Sequence, residues 1–319
     1  MEMVLFMLTS PPVILFIVGV IAALGNSNIK IPESLSIALN IYLLLAIGIK
    51  GGIGLSTVTW ADLSGPLTAA LTLGILLPLV GYLIGRLLKF QLEERIAMAA
   101  TFGSVSLVTF AAAAAQLETI GIIYEPYMTT LVVIMEIPGL VVALLLYQSL
   151  KQQVVLGIVP QSSVSSVMLE SVMSKSILLL LAGLVAGFAA PNPATLEPFF
   201  IDLFPGVLLI FLLGLGLKVG SHLHSIKEYG LKLVIAGVLF PIIGGFFGYV
   251  AAGLTGLSDG GTILLMALAA SGSYIAAPAM LQASVPDVKP SFYLTMALAV
   301  TFPFNLLIGI PVFIKIVAG

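Results

Sequence analysis

The chain contains no cysteine, two histidines, one tryptophan and few charges, with 12 Lys and Arg and 14 Asp and Glu among 319 residues. Each scarcity removes a class of function. Without cysteine there is no disulfide, no thiol chemistry and no thiolate-bound metal. Charged residues make up 8% of the chain, against roughly a quarter in an ordinary soluble domain. That is too few to cover a water-facing surface of this size. A formal net charge of −2 makes nucleic acid an unexpected partner. His222 and His224 stand at i and i+2 in a loop with no acidic cluster nearby, and read as solvated residues more than as metal ligands. An enzyme reading finds no HExxH pair, no paired Asp at membrane depth, no phosphate-binding Gly loop and no His inside an apolar run to act as base. The chain is therefore not expected to be an enzyme or to carry a cofactor or a resident metal.

What the chain does have is apolar length. Hydrophobic residues make up 60% of it, and its mean hydropathy is +1.21. The apolar runs are continuous and near the ~20 residues a membrane helix needs, not alternating over ~10 as in a membrane barrel. This predicts an all-α integral membrane protein. Breaks at charge, Pro and Gly predict ten spans, at 11–25, 35–57, 65–88, 94–117, 126–150, 173–190, 200–219, 229–254, 260–282 and 290–317. The N-terminal "MEMVLFMLTSPP" lacks a basic segment and reads as a short tail, not a signal peptide. Residues 151–175 form the one sizeable polar linker and divide the spans five and five. Trp60 reads as an interface anchor, and Asn26, Asn28 and Asn192 as turn residues.

Charge gives the orientation. The loops after spans 1, 3, 5, 7 and 9, with adjoining helix ends, collect Lys30, Arg86, Lys89, Arg95, Lys151, Lys175, Lys218, Lys227, Lys232 and Lys289, leaving Lys50 and Lys315 for the other side. Positive residues mark the cytoplasmic face, so both termini are expected outside. The predicted outer loops carry Asp62, Glu118, Glu125, Glu197, Asp202 and Asp259 instead. A multi-pass protein of a bacterial cytoplasmic membrane is expected.

The two halves resemble each other. "IYLLLAIGIKGGIGLST" parallels "LLIFLLGLGLKVGSHLHS", with Lys50 opposite Lys218. "AATFGSVSLVTFAAAAAQ" parallels "LAASGSYIAAPAMLQ", with Ser104 and Ser106 opposite Ser271 and Ser273. Glu136-Ile-Pro138 stands opposite Thr301-Phe-Pro303. Each copy has five spans, an odd number, so the second is inverted in the membrane, as in many secondary transporters. Residues 1–150 form the first repeat, 151–175 the linker and 176–319 the second repeat.

Two constellations carry chemistry. Gly103 and Gly272 weaken spans 4 and 9 beside the two Ser-x-Ser stretches. A helix break there frees backbone amides, and the following half-helix presents its positive end. Gly103, Ser104, Val105, Ser106 and Thr109 from one half, with Ser271, Gly272, Ser273 and Tyr274 from the other, are the candidate substrate residues. Such a compact, uncharged set suits a small oxyanion. One stretch alone reads as small-residue packing, and the recurrence in both halves favours a site. The second constellation is Glu136, an acid inside span 5 next to Pro138, which leaves a backbone carbonyl unpaired. Hard cations take oxygen ligands, so Glu136, Thr109, Thr301 and Asn305 are the candidate Na⁺ residues. Lys50 and Lys218 read as interfacial lysines that mark topology.

These motifs resemble those of the cyanobacterial sodium-dependent bicarbonate transporters (SbtA type) and their bacterial homologues. The blocks that carry the resemblance are "IPESL" with "IGIKGG", "FGSVSLVTFAAA", "IIYEPY" with "MEIPGLV", and "AASGSYIAAPAMLQASVPDVKPSFY" with "IGIPVF". The resemblance implies ten helices in two inverted repeats, similar to the sodium/bile-acid symporter fold, with broken helices 4 and 9 crossing. It implies a core of spans 3–5 and 8–10 against a gate of spans 1–2 and 6–7. It also implies a homotrimer, elevator-type movement, Na⁺ as coupling ion, bicarbonate as substrate and a PII-like regulatory protein on the cytoplasmic face. The family's second motif reads Ser-Ser-Ser-Asp-Ile-Ser, where this chain has Ser271, Gly272, Ser273, Tyr274, Ile275 and Ala276. The leading expectation is therefore Na⁺-coupled uptake of a small anion. The alternatives are the same fold acting on another solute such as an organic carboxylate, and a passive channel or non-transporting sensor.

Overall fold

The computed structural model describes residues 9–154, 173, 175–285 and 287–319. Most of the predicted linker lies outside the described residues. Among those described there is helix, turn and loop, and no strand.

Local chemistry places each helix start. Helix α1 (Pro11–Leu24) opens on two prolines, where a missing amide hydrogen costs nothing. Helix α2 spans Glu33–Leu55. Helix α3 (Trp60–Leu87) begins at a reciprocal cap, in which the Thr59 amide donates to Asp62 Oδ2 at 3.3 Å and the Asp62 amide donates back to Thr59 Oγ1 at 3.5 Å. Helix α4 (Leu92–Gly103) is opened by Gln91, whose amide donates to Glu94 Oε2 at 2.9 Å. Helices α5 (Leu107–Thr119), α6 (Met128–Val154) and α7 (Lys175–Phe188) follow. The second half holds α8 (Phe204–His222), α9 (Ile226–Gly253), α10 (Asp259–Ala269) and α11 (Ala276–Ser284). It ends with α12 (Pro290–Ala318), which carries wide π-type turns at Thr295–Thr301 and Asn305–Gly309, on either side of Pro303.

Seven segments are long and apolar enough to cross a membrane: Glu33–Leu55, Trp60–Leu87, Leu92–Thr119, Met128–Lys151, Pro198–His222, Ile226–Gly253 and Pro290–Ala318. The other three predicted spans hold shorter apolar helices of 14, 14 and 11 residues, α1, α7 and α10. At ~1.5 Å per residue, an 11-residue helix covers only about half of a ~30 Å hydrocarbon layer. Helix α10 is short because the chain leaves helical geometry at 271–275 and resumes it in α11.

Packing follows small residues, as expected where lipid removes any hydrophobic drive between helices. Helix α1 lies against α8, and α2 against α7. A Cβ placed on Gly19 would meet Gly216 Cα at 3.0 Å, and one on Gly48 would meet Gly183 Cα at 3.0 Å. Both pairs therefore approach backbone to backbone. Helices α3, α4 and α6 form one cluster, and α9 packs on α10 and α12 in another. The most apolar stretch of Leu92–Thr119 is 100% buried, against 28% for Pro198–His222. The broken α4–α5 segment is thus enclosed by protein, while α8 buries one side, with Leu208, Leu212, Leu215 and Val219, and leaves the other less covered.

Candidate functional site

The polar residues of "FGSVSLVTF" end one helix and begin the next. Helix α4 stops at Gly103; Ser104 (φ −99°, ψ 133°) and Ser106 (φ −103°, ψ 111°) are extended, and α5 starts at Leu107. Gly103 is required by proximity: a Cβ there would lie 2.8 Å from Pro78 Cβ and 3.1 Å from Gly139 Cα. In the second half α10 ends at Ala269 and α11 starts at Ala276. Gly272 sits against Phe102, whose ring a Cβ would meet at 3.3 Å. Phe102 in turn stacks on Phe240 of α9, with centroids 3.9 Å apart and planes at 11°.

The two breaks meet and satisfy each other. The Ser106 amide donates to Ser271 Oγ at 2.7 Å. The Ser273 amide donates to the carbonyls of Thr101 (2.7 Å) and Ser104 (3.0 Å). Ser271 Oγ donates to the Leu268 carbonyl at 2.7 Å. Ser106 Oγ caps α5 by accepting from the Thr109 amide at 3.2 Å, and Ser273 Oγ accepts from the Ala277 amide at 3.3 Å. Backbone groups at membrane depth need such partners, because no solvent supplies them.

This network redistributes the donors expected from sequence. The amides of Ser104, Ser106 and Ser273 are already engaged, Ser104's with the Ala100 carbonyl at 3.1 Å. The first turn of α5 leaves the Leu107 and Val108 amides with no hydrogen-bond partner among the described residues. Ser104 Oγ, Thr101 Oγ1 and the Tyr274 hydroxyl are also buried without partners there. A small cavity of ≈ 10 Å³ is lined by Val105, Ser106, Leu107, Val108, Glu136, Ser176, Ser273, Tyr274 and Ile275. That is room for about one water molecule. The N-terminal ends of α5 and α11, both positive in the helix dipole, therefore border one space.

Glu136 borders the same space from α6. It is 2% exposed, and its Oε2 has no hydrogen-bond partner. A carboxylate at that depth calls for a cation or a proton. Pro138, two residues on, cannot donate to the Ile134 carbonyl, so a further oxygen is left without its helical partner. The other predicted Na⁺ residues lie differently. Thr301 Oγ1 donates to the Gly237 carbonyl at 2.9 Å, and Asn305 Nδ2 donates to the Ala270 carbonyl at 2.7 Å, leaving Oδ1 unpartnered. Both tie α12 to its neighbours, Asn305 at the end of α10. Thr109 is buried beside the break, one turn into α5. No group of three or more Asp, Glu, His or Cys residues gathers among the described residues.

A family model for the Na⁺-dependent bicarbonate transporter superfamily matches residues 11–318, nearly the whole chain. The chain belongs to that superfamily. A search of curated proteins finds no match. Family membership and the apolar helices together make this a multi-pass membrane protein of a transporter family, in which sodium is the coupling ion.

Sequence reasoning missed four lining residues. Leu107 and Val108 were legible in principle, because the first amides after an N-cap are always the free ones. Ile275 adjoins the quoted motif. Ser176, at the start of α7, carries no motif that would single it out, and only the fold brings it to Glu136.

Proposed function

We propose that this protein is a secondary active transporter that couples Na⁺ entry to uptake of a small anion, bicarbonate by family membership. The observation that carries this reading is the meeting of two helix breaks beside a buried, unpartnered carboxylate. Free amides at a helix N-terminus suit an oxyanion, and Glu136 with neighbouring oxygens suits Na⁺. A cation beside an anion lowers the cost of desolvating both.

The packing supports ten spans in two inverted repeats. Helix α1 with α8 and α2 with α7 are pairs that a two-fold axis between the halves would relate, and the clusters α3–α4–α6 and α9–α10–α12 correspond in the same way. The first pairs form a gate and the second a core, which moves against it in elevator fashion. Contacts between distant segments join loops assigned to the same side. Lys50 pairs with Glu118 (3.6 Å) and the Ser258 amide donates to Glu125 (2.6 Å) on the acidic face, while Lys289 pairs with Glu228 (3.4 Å) and Lys151 with Asp287 (3.7 Å) on the basic face. We assign the basic face to the cytoplasm of a bacterial inner membrane, with both termini outside and three copies assembling as a trimer. A PII-like regulator would dock on the basic face.

The site predicts mutual stabilisation of two ligands. Bicarbonate should raise the unfolding temperature of the purified protein only when Na⁺ is present, since coupled sites lend affinity to each other reciprocally. Stabilisation by bicarbonate alone, at equal strength without Na⁺, would refute the shared site. Stabilisation by an organic carboxylate and none by bicarbonate would reassign the substrate.

A further inference from the structure

A second, larger cavity of ≈ 350 Å³ opens between the start of α2, the end of α8 and the second helix break. Its walls include Ser36 and Asn40 from α2 and Lys218 from α8. Tyr274 and Ile275 line this cleft and also line the small cavity that holds Glu136. They are the residues that both spaces share.

We propose that Tyr274 and Ile275 form the wall between the central cavity and an aqueous cleft on the Lys218 side, and that the Tyr274 side chain is the gate through which the solute passes. The inference rests on the small cavity being the transport site. Three observations support it beyond the shared lining. The Tyr274 hydroxyl is buried with no hydrogen-bond partner, so no polar contact anchors the ring tip. Tyr274 lies between α10 and α11, where no helical ladder constrains it. The central cavity takes about one water and is too small for a four-heavy-atom oxyanion, so its lining must move for a solute to enter. Lys218 and Glu33 both line the cleft and are both exposed, so it is polar and open to water without a net charge of either sign. A ring at this position also sets the size of solute admitted, which makes Tyr274 a specificity-determining residue as well as a gate.

The absence of native cysteine makes the test direct. Single cysteines replace Ser36 in the cleft and Ser176 in the central cavity, and the protein in proteoliposomes meets a membrane-impermeant methanethiosulfonate from either face. Lys227→Cys and Ile123→Cys, both on exposed residues, report the two faces. Ser36→Cys should label from the same face as Lys227→Cys. Ser176→Cys should label slowly, and about tenfold faster from that face when Tyr274→Ala is added, because apparent access scales with the open fraction. Tyr274→Phe keeps the ring and should leave the slow rate unchanged. Ser36→Cys labelling in the same background shows whether Tyr274→Ala keeps its fold, and Tyr274→Leu substitutes for it if not. Labelling of Ser176→Cys that ignores loss of the ring, or faster labelling from the Ile123 face, would overturn the gate. Labelling needs neither Na⁺ nor solute, so a failed transport assay with successful labelling would sink the transport reading and leave Tyr274 only as a barrier between the cleft and the central cavity.

Discussion

Glu136 is where a single residue decides most. Its oxygen is buried and unpartnered, so Glu136→Gln keeps the shape and removes the charge that would hold a cation. Initial uptake rates measured with and without Na⁺ should then become equal. A variant that stays Na⁺-activated would assign the ion elsewhere. Ser271 acts structurally. It accepts from the Ser106 amide, and Ser271→Ala leaves that buried donor unsatisfied, at a cost of about 1–3 kcal/mol. Denaturation in detergent should show the loss, and Ser271→Thr, which keeps a hydroxyl, should recover part of it. Ser104, Ser106, Ser271 and Ser273 were legible in the sequence because small polar groups interrupt an apolar run. Which of their atoms are spent on the fold was not, because that depends on a contact 165 residues apart in the chain.

At the scale of elements, glycine contacts set the distances between helices. Gly48→Ala would put a Cβ 2.9 Å from the Leu184 amide and 3.0 Å from Gly183 Cα. Overpacking of this kind costs about 1–3 kcal/mol. Gly206, with nothing within 4 Å of a Cβ, is the matched control, and Gly206→Ala should leave thermal stability unchanged. Helix positions were legible from continuous apolar length, and starts such as Thr59 with Asp62 from capping chemistry. The break that ends α10 was legible too, because Gly272 and the flanking serines interrupt the run 260–282. The bonds from the Ser273 amide to Thr101 and Ser104 across the site were not. Tertiary bonds of that kind leave no periodicity in the sequence. The same holds for the bonds that Thr301 and Asn305 donate to the Gly237 and Ala270 carbonyls, which leave Asn305 Oδ1 without a partner.

For the whole molecule, charge asymmetry and matched landmarks in the two halves are the sequence features behind the proposed sided, two-fold architecture. Impermeant thiol labelling of Ile123→Cys and Lys227→Cys should come from opposite faces of the membrane; labelling of both from one face would break the assigned topology. The central claim is coupling. Proteoliposomes holding the protein should accumulate radiolabelled bicarbonate above its equilibrium level when given an inward Na⁺ gradient. A Na⁺ ionophore should return it to that level. Entry that only equilibrates, at the same rate with or without the gradient, would contradict the account and make the protein a passive pathway.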